Sequence, residues 1–351
     1  MLRAASVVSS FTIRVNPCPS VVQTSGITRG NYPTPWRAFC GLWEWMRPAF
    51  SLTLIFTLWL ALALPANLPA RAQDTAQIDA LTEVPLSQLS DPGNSALGQA
   101  ALAVRPDDWR HAETPHFILH FFHNFVAAQA AGELEFYYHA IATELHQDTN
   151  TWERKSHVYI FENPDDWHAF QQKAQLDPWT GGIHSEGNLF IVRDPSYKFE
   201  GRSIGHETAH LVLYRFFGAA IPLWLNEGYA ENSSIRFYAG LERERGYSSI
   251  PHSAVITASN YIPVPTLTAM AAYPDDVTQV SIFYQESEKL VAFLRAQSTE
   301  GFITFMDALS HGSTLDTALS RGFGSRFATI DDLDHEFAAY AQRQYQPIAG
   351  N

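Results

Sequence analysis

The middle of the chain shows short apolar stretches that alternate with segments of helical periodicity. The stretch HFILHFF, His116–Phe122, alternates and is rich in aromatic residues, which predicts a strand, and SHVYIFE, Ser156–Glu162, predicts a second. Between them, residues 127–147 carry apolar side chains at helical spacing. A further helix is predicted where Asn163, a good capping residue, precedes Pro164 at the first helical position.

The rest of the chain separates into a hairpin signal and a long helical region. Residues 181–194, GGIHSEGNLFIVRD, predict a hairpin or an edge strand with a glycine-rich bend. After residue 200 the strand patterns stop, and helices are predicted at about residues 201–217, 222–238, 277–295, 301–309, 314–321 and 330–345. This order predicts an α+β protein of two lobes, a small mixed sheet with helices over residues 114–200 and an all-helical lobe over residues 201–351.

The N-terminal region has the character of a targeting segment. Residues 49–64, AFSLTLIFTLWLALAL, are apolar and uncharged, Arg47 precedes them, and an Ala-Arg-Ala site ends at Ala72. This pattern predicts a signal peptide over residues 46–72, starting at Met46, with residues 1–45 as an extension of the gene model. An uncleaved membrane anchor is the alternative, because the run is close to spanning length. Polar residues 73–113 are interpreted as a linker or a loose arm.

Composition narrows the classes of function. Hydrophobic residues make up 46% of the chain and aromatic residues 13%, enough for a sizeable core. The formal net charge of −13 argues against a nucleic-acid partner, which requires basic residues to neutralise phosphates. Both cysteines, Cys18 and Cys40, precede the expected cleavage site. The exported chain therefore has no disulfide, no thiolate mechanism and no cysteine metal site.

The strongest chemical signal is the stretch HETAH in the first predicted helix of the second lobe. His206 and His210 are four residues apart, so a helix places both imidazoles on one face, where they can share a metal ion. Glu207 projects about 100° round the helix axis and lies beside the ion, in the place of a general base. A catalytic zinc needs a third protein ligand and an open position for water.

The third ligand is expected from the next helix. The positions after His210 read LVLYRFF, which excludes the arrangement with a third histidine on the same helix. The chain instead reaches Gly218, which predicts a helix end, and Pro222, which predicts a new start. A helical hairpin of this kind can bring the Glu227 carboxylate over the two imidazoles.

HETAH followed by LWLNEGYAE, residues 223–231, resembles the gluzincin metallopeptidases, the thermolysin and aminopeptidase N group. It is most similar to the peptidase MA-like proteins of bacterial exported chains, and the resemblance covers roughly residue 114 to the C-terminus. It implies a thermolysin-like fold with a cleft between two lobes. It also implies one Zn²⁺ per chain, held by His206, His210 and Glu227.

The resemblance also implies roles for residues around the metal. Glu207 is the implied catalytic base, and Glu231 stands where the family places an acid that supports a metal-bound histidine. Tyr284 corresponds to a tyrosine that stabilises the oxyanion in the aminopeptidase branch, although the Lys-Gly of that context is absent. The alternative is that Tyr284 belongs to the apolar stripe of a packed helix.

The predicted hairpin occupies the place of the substrate-binding edge strand of gluzincins. Aminopeptidases carry GAMEN there, and this chain departs from that pattern, so an exopeptidase specificity does not follow. Glu186 and His184 are candidate substrate contacts; the alternative is that they are exposed loop side chains without a role. The other histidines are interpreted mainly as surface or satisfied core groups: His111, His116, His120, His123, His139, His146, His157, His168, His252, His311 and His335.

The sequence therefore predicts a secreted or extracytoplasmic zinc metallopeptidase that acts on a peptide or protein. A membrane association is expected only if the signal segment is uncleaved. One alternative is a non-catalytic binding or scaffold module on the same fold, which the presence of Glu207 disfavours. Another is a zinc hydrolase of a non-peptide amide or ester, because a motif and a fold do not fix the substrate.

Overall fold

The computed structural model describes residues 80–151, 154–177, 180–193, 200–218, 221–244, 261–324 and 326–344. The expected extension over residues 1–45, the expected signal peptide over residues 46–72 and the start of the expected linker lie outside the described residues. Among the helices that are described, none is both long and apolar enough to span a bilayer.

A mixed sheet forms the first lobe. Its strands in the described residues are β1 Arg110–Glu113, β2 Phe117–Phe121, β3 Ser156–Phe161, β4 Gly182–Ser185 and β5 Asn188–Val192. Their order is β1-β2-β3-β5-β4, with parallel pairs in the centre and an antiparallel strand at each edge. The predicted hairpin is β4–β5, and Glu186 and Gly187 at its turn both have positive φ, the geometry of tight two-residue turns.

Helices make up most of the remaining described chain. They are α1 Ala96–Leu102, α2 Asn124–Glu144, α3 Pro164–Ala174, α4 Glu200–Phe217, α5 Leu223–Glu244, α6 Val264–Ala269, α7 Val277–Gln297, α8 Thr299–Ser310, α9 Leu315–Phe323 and α10 Ile330–Gln344. The eight helices predicted from periodicity are confirmed, and α1 and α6 are additional. As predicted, the Asn163 side chain caps α3 by accepting from the Asp166 N–H.

Both faces of the sheet are covered, which explains why every residue of β2 and β3 is buried. On one face Tyr159 and Phe161 join a cluster with side chains of α1 and α3. On the other face Val158 and Ile160 join a larger cluster that continues through α2 and α4 into the helices of the second lobe. The α+β fold of two lobes is thus confirmed, with α4 packed against both the sheet and α5.

The expected linker differs from the structure over residues 80–113. This segment contains α1, which packs on α3 and β3, and β1, which pairs with β2. The signals for these elements in the sequence are weak, because α1 is short and β1 is only four residues long. Gly98 of α1 fits against the Tyr159 ring so closely that a Cβ atom would lie 2.8 Å from the ring carbon Cζ. The part of the expected linker that contains α1 and β1 is therefore held by contacts with α3, β3 and β2.

Three buried histidines form a hydrogen-bonded row across β1, β2 and β3. His111 Nδ1 lies 2.8 Å from His120 Nδ1, and His120 Nε2 lies 2.9 Å from His157 Nδ1. Burial, together with the two neighbouring imidazoles, holds the pKa of His120 well below its usual range. Burial also lowers the pKa values of His111 and His157, so the row is neutral near pH 7, and its members hydrogen-bond to one another within the sheet.

Glu286 of α7 gives the fold a dependence on pH. Its side chain is 1% exposed; Oε1 accepts from the Ile262 N–H at 3.1 Å, while Oε2 has no hydrogen-bond partner among the described residues. Burial raises the pKa of Glu286 to about 7, against the lowering effect of that hydrogen bond. The folded protein keeps this proton up to about pH 7, whereas the unfolded chain loses it near the ordinary pKa of 4.5. The resulting contribution to the free energy of unfolding is therefore complete below pH 4.5 and is lost as pH rises through about 7.

We therefore expect Glu286→Gln to stabilise the protein at pH 8 and to have little effect at pH 5. The expected gain at pH 8 is roughly 1–3 kcal/mol in the free energy of unfolding, measured by urea denaturation. Glu300→Gln on α8 is the matched control, because that side chain is 76% exposed and should leave the pH profile unchanged. Parallel profiles for wild type and Glu286→Gln would contradict the assignment.

Candidate metal centre

Two helices in the second lobe bring together the residues of HETAH and NEGYAE. The helix α4 ends at Gly218, which has a φ of 71°, and the Pro222 carbonyl accepts the first backbone hydrogen bonds of α5. Local signals in the sequence thus set both ends of the reversal. The packing of α4 on α5 then places Glu227 opposite the face of α4 that carries His206 and His210.

Three ligand atoms converge between these helices. His206 Nε2 and His210 Nε2 lie 3.0 Å apart, and each is 3.4 Å from Glu227 Oε2. The exposed fractions of the two histidines and of Glu227 are 3%, 3% and 0%. These three side chains form a group able to hold a metal ion, because each offers a ligand atom within 4.8 Å of the others. A second such group, His116, Glu135 and His139, lies outside this centre.

The carboxylate of Glu207 lies beside this group, against the sheet. Glu207 is 3% exposed, and a Cβ atom added to Gly182 of β4 would lie 2.7 Å from its Oε1. Only a glycine at this position leaves that much room for the carboxylate next to the strand. The first residue of the edge strand is therefore in contact with the acid that the sequence assigns as a base.

The charges in the centre strongly influence one another. Burial raises the pKa of the Glu207 carboxyl, and the acids Glu227 and Glu231 add to this, whereas the two imidazoles oppose it. For His210, burial lowers the pKa but the Glu227 carboxylate outweighs it and raises the value to about 9. Burial also opposes ionisation of Glu227, but His210 and His206 hold its pKa far below the ordinary value. Glu227 is therefore an anion in the site.

Polar side chains lie next to the Nδ1 atoms of both imidazoles. His210 Nδ1 lies 2.9 Å from Asn226 Oδ1, a residue that the sequence analysis did not single out. Glu231 Oε1 lies 3.6 Å from His206 Nδ1, on the side that the sequence predicts, and the second carboxylate oxygen binds Arg202. At 3.6 Å from Glu231 Oε1, the buried Nδ1 atom of His206 is too far away for a hydrogen bond, and it has no other hydrogen-bond partner among the described residues. Acceptors at these positions orient ligand histidines.

Two tyrosines stand next to the ligands. Tyr284 of α7 is 4% exposed, and its ring centre lies 6.3 Å from that of His206, so it belongs to the packed helix and also borders the site. Tyr273 lies in the loop before α7, stacks on Tyr284 at 5.9 Å and donates a hydrogen bond to Glu227 Oε1. Burial and the Glu227 carboxylate raise the pKa of Tyr273 far above its usual range, so it is a neutral donor. No pattern in the sequence indicated Tyr273.

The two candidate substrate contacts occupy different places. His184 of β4 lies beside Tyr214 of α4, with ring centres 5.1 Å apart and the rings tilted by 56°. Burial, followed by the charges of His210 and Arg215, lowers the pKa of His184 to about 3. Its neutral ring is next to the centre. Glu186 is exposed at the hairpin turn, where it borders a polar cavity with Tyr214 and Arg215. Tyr214 is one turn of α4 beyond His210, so Glu186 borders a cavity next to the centre but is not a member of the metal-binding group.

Comparison with known proteins agrees with this arrangement. The family model of the peptidase MA superfamily matches residues 139–341, more than half of the chain. The search of curated proteins finds no match. The matched region contains α4, α5, α7 and the loop before α7, and so the three ligand candidates of this centre and both tyrosines. With a metallopeptidase-like fold and a His-His-Glu group at its centre, the chain belongs to the peptidase MA superfamily.

Proposed function

We propose that the protein is an exported zinc-dependent peptidase that hydrolyses peptide bonds with Glu207 as its general base. The observation that carries this proposal is the convergence of His206, His210 and Glu227 on one point, with the buried Glu207 carboxylate beside them. Burying these groups is unfavourable unless they are paired or coordinate a metal, and a shared cation would compensate both carboxylates together. Export is proposed from the apolar segment before Ala72.

The ligand spacing supports zinc. In a tetrahedral site with bonds of about 2.0–2.1 Å, two ligand atoms are roughly 3.3 Å apart. The three separations among His206 Nε2, His210 Nε2 and Glu227 Oε2 are 3.0, 3.4 and 3.4 Å. Two imidazoles and one carboxylate are also a frequent donor set of catalytic zinc, which leaves a fourth position for water. These residues fit one Zn²⁺ per chain.

The residues around the ion supply proton transfer and positioning. When bound, zinc polarises a carbonyl group and acidifies a water molecule. Glu207 accepts a proton from the attacking water and passes it to the amine that leaves. Because burial raises its pKa, the carboxylate is a stronger base than an exposed glutamate. Asn226 orients the His210 imidazole by a hydrogen bond, and Glu231 lies 3.6 Å from His206 Nδ1, where a small shift lets it accept from that ring. A tyrosine hydroxyl can donate to the oxyanion of the substrate.

The edge strand offers a place for a peptide. β4 is the last strand of the sheet, and its first residue, Gly182, contacts Glu207. A substrate in an extended conformation can pair with the edge of β4 that no other described strand occupies, as peptides do in strand addition. Such pairing places a backbone carbonyl near Glu207 without requiring a particular side chain, which favours a peptide over a small amide or ester.

This function is tested by hydrolysis of casein and of a mixed peptide library. We expect cleavage by zinc-loaded protein, loss of cleavage after chelation and recovery when one equivalent of Zn²⁺ is added. Cleavage that continues after the metal has been removed, as verified by elemental analysis, would contradict a zinc mechanism. Loaded protein that cleaves no peptide would contradict the peptidase proposal, and a panel of esters and amides would then test the hydrolase alternative.

The two tyrosines are distinguished by single substitutions. We expect Tyr273→Phe to lower kcat roughly 10²-fold, the usual loss when one oxyanion donor is removed, with KM nearly unchanged. The Tyr273 hydroxyl reaches the Glu227 carboxylate, and its single proton can turn from Glu227 to the oxyanion when a substrate binds, whereas Tyr284 lies behind it against the helix core. The measurement is steady-state kinetics of both variants with equal metal content.

Tyr284→Phe is the matched control for this experiment, because it removes the same atom from the neighbouring ring. We expect it to lower kcat by less than about tenfold, through its contact with Tyr273. The opposite order of effects would assign the oxyanion donor to Tyr284, as the family resemblance implies, and would contradict the role given to Tyr273.

A further inference from the structure

The second group of metal-binding side chains lies away from the proposed catalytic centre. His116 precedes β2, and Glu135 and His139 lie one turn apart on α2, so one ligand comes from the sheet and two from the helix. We propose that these three residues form a second metal site, which takes Zn²⁺ or another divalent transition ion that prefers imidazole ligands. This inference is independent of the proposed peptidase activity.

The geometry of the group is partly set before an ion binds. Glu135 Oε2 lies 2.6 Å from His116 Nδ1 and 3.8 Å from His139 Nε2, on either side of the roughly 3.3 Å expected around tetrahedral zinc. The other carboxylate oxygen, Glu135 Oε1, accepts a hydrogen bond from the backbone N–H of His116 at 3.1 Å, which fixes the orientation of Glu135. A shift of less than about 1 Å in these side chains gives metal geometry.

Packing restricts the ligand side chains. The His116 ring lies against Tyr138, with ring centres 4.3 Å apart, and 5.1 Å from the ring of His139. The backbone at His116 is also held, because its carbonyl accepts from the Ser156 N–H of β3. The side chains of His116 and Glu135 are 14% and 16% exposed, whereas that of His139 is 51% exposed. An ion can therefore enter from solvent, and water can complete its coordination.

The charges also suit a transition ion. A metal takes imidazole in its neutral form and carboxylate in its anionic form, and both forms are common near pH 7. Two imidazoles with one carboxylate favour Zn²⁺, Cu²⁺ or Ni²⁺ over Mg²⁺ and Ca²⁺, which prefer oxygen ligands.

A metal at this site joins α2 to the sheet. On its other side α2 packs against α4, where the Tyr137 ring contacts Gly205, the residue before His206. Binding to the folded chain stabilises it by mass action. Zinc in excess of the first equivalent should therefore raise the unfolding temperature through this second site.

The test is zinc binding to tag-free protein at micromolar Zn²⁺, by equilibrium dialysis with elemental analysis and by calorimetry. Wild type should bind two ions per chain, and His139→Ala should bind one. Loss of the His139 ligand lowers the affinity of the second site by more than the roughly 10–100-fold that is typical when a residue behind a ligand is changed. His146→Ala is the matched control: its side chain is 56% exposed just beyond α2, outside the cluster, and it should bind two. His139 is exposed, so its substitution should not impair folding.

Glu227→Gln separates the two sites. We expect this variant to bind one ion, and the Glu227→Gln, His139→Ala double variant to bind none at micromolar Zn²⁺. If the catalytic centre binds no zinc but the second site does, wild type should bind one ion and His139→Ala none. That result would contradict the proposed catalytic site and support the second site. Equal binding by wild type and His139→Ala overturns the second site, as does binding that requires millimolar Zn²⁺.

Discussion

Glu207→Gln is expected to lower kcat by roughly 10²–10⁴-fold, the usual contribution of a general base, while the protein keeps its bound metal. The amide has nearly the same shape as the carboxylate, so it fits the buried space next to Gly182 without disturbing β4. It cannot accept the proton of the attacking water. Glu207 is not one of the three ligands, so metal content should remain at the wild-type level.

The measurement combines kcat, KM and zinc content for wild type, Glu207→Gln and Glu227→Gln. The first variant should lose turnover alone, with KM changed little, because the lost interaction belongs to the transition state. The second should lose both turnover and the ion of the catalytic centre, since it removes a ligand. A Glu207→Gln protein with kcat close to wild type would contradict the assigned base.

The second large effect concerns the contact between α5 and α7 behind Glu227, the proposed third ligand. A Cβ atom added to Gly228 would overlap the Ser287 carbonyl oxygen and would lie 2.6 Å from its carbonyl carbon and 2.9 Å from Val291 Cγ2. Backbone atoms cannot rotate away, so the two helices must separate. We expect Gly228→Ala to reduce the free energy of unfolding by at least about 2 kcal/mol and to weaken metal binding by displacing Glu227.

Gly240→Ala provides a matched control on the same helix. Nothing lies within 4 Å of a Cβ atom added at Gly240, so only the backbone preference changes there. Alanine is favoured over glycine in a helix by roughly 0.5–1 kcal/mol, and this variant should be slightly more stable than wild type. Urea denaturation of both variants gives the comparison. If Gly228→Ala also stabilised the protein, the close contact of α5 with α7 would be wrong.

The elements predicted well from the sequence are those with strong local signals. Asn163 and Pro164 start α3, and Gly218 and Pro222 delimit the reversal between α4 and α5, because capping and turn chemistry depend on neighbouring residues alone. The two histidines of HETAH share a face for the same reason. That Glu227 returns to them was a prediction from chain length and helix geometry, and the structure places it there.

The residues that sequence reasoning missed are defined by contacts between distant segments. Tyr273 lies in a loop without periodicity, and only the packing of that loop on α5 brings its hydroxyl to Glu227. Asn226 meets His210 because of how α5 is rotated against α4. The strand β1 is short and polar, and its place follows from pairing with β2. Tyr284 could not be settled from its spacing, because a side chain that packs in the core can also border the site.

The central claim is that one zinc ion sits between α4 and α5, and anomalous diffraction at the zinc edge tests it most directly. For crystals of zinc-loaded protein, we predict a peak about 2.0–2.2 Å from His206 Nε2, His210 Nε2 and a Glu227 carboxylate oxygen. The Glu207 carboxylate should lie beside the ion without binding it. No peak at this position in fully loaded crystals, or zinc found only at other residues, would contradict the account.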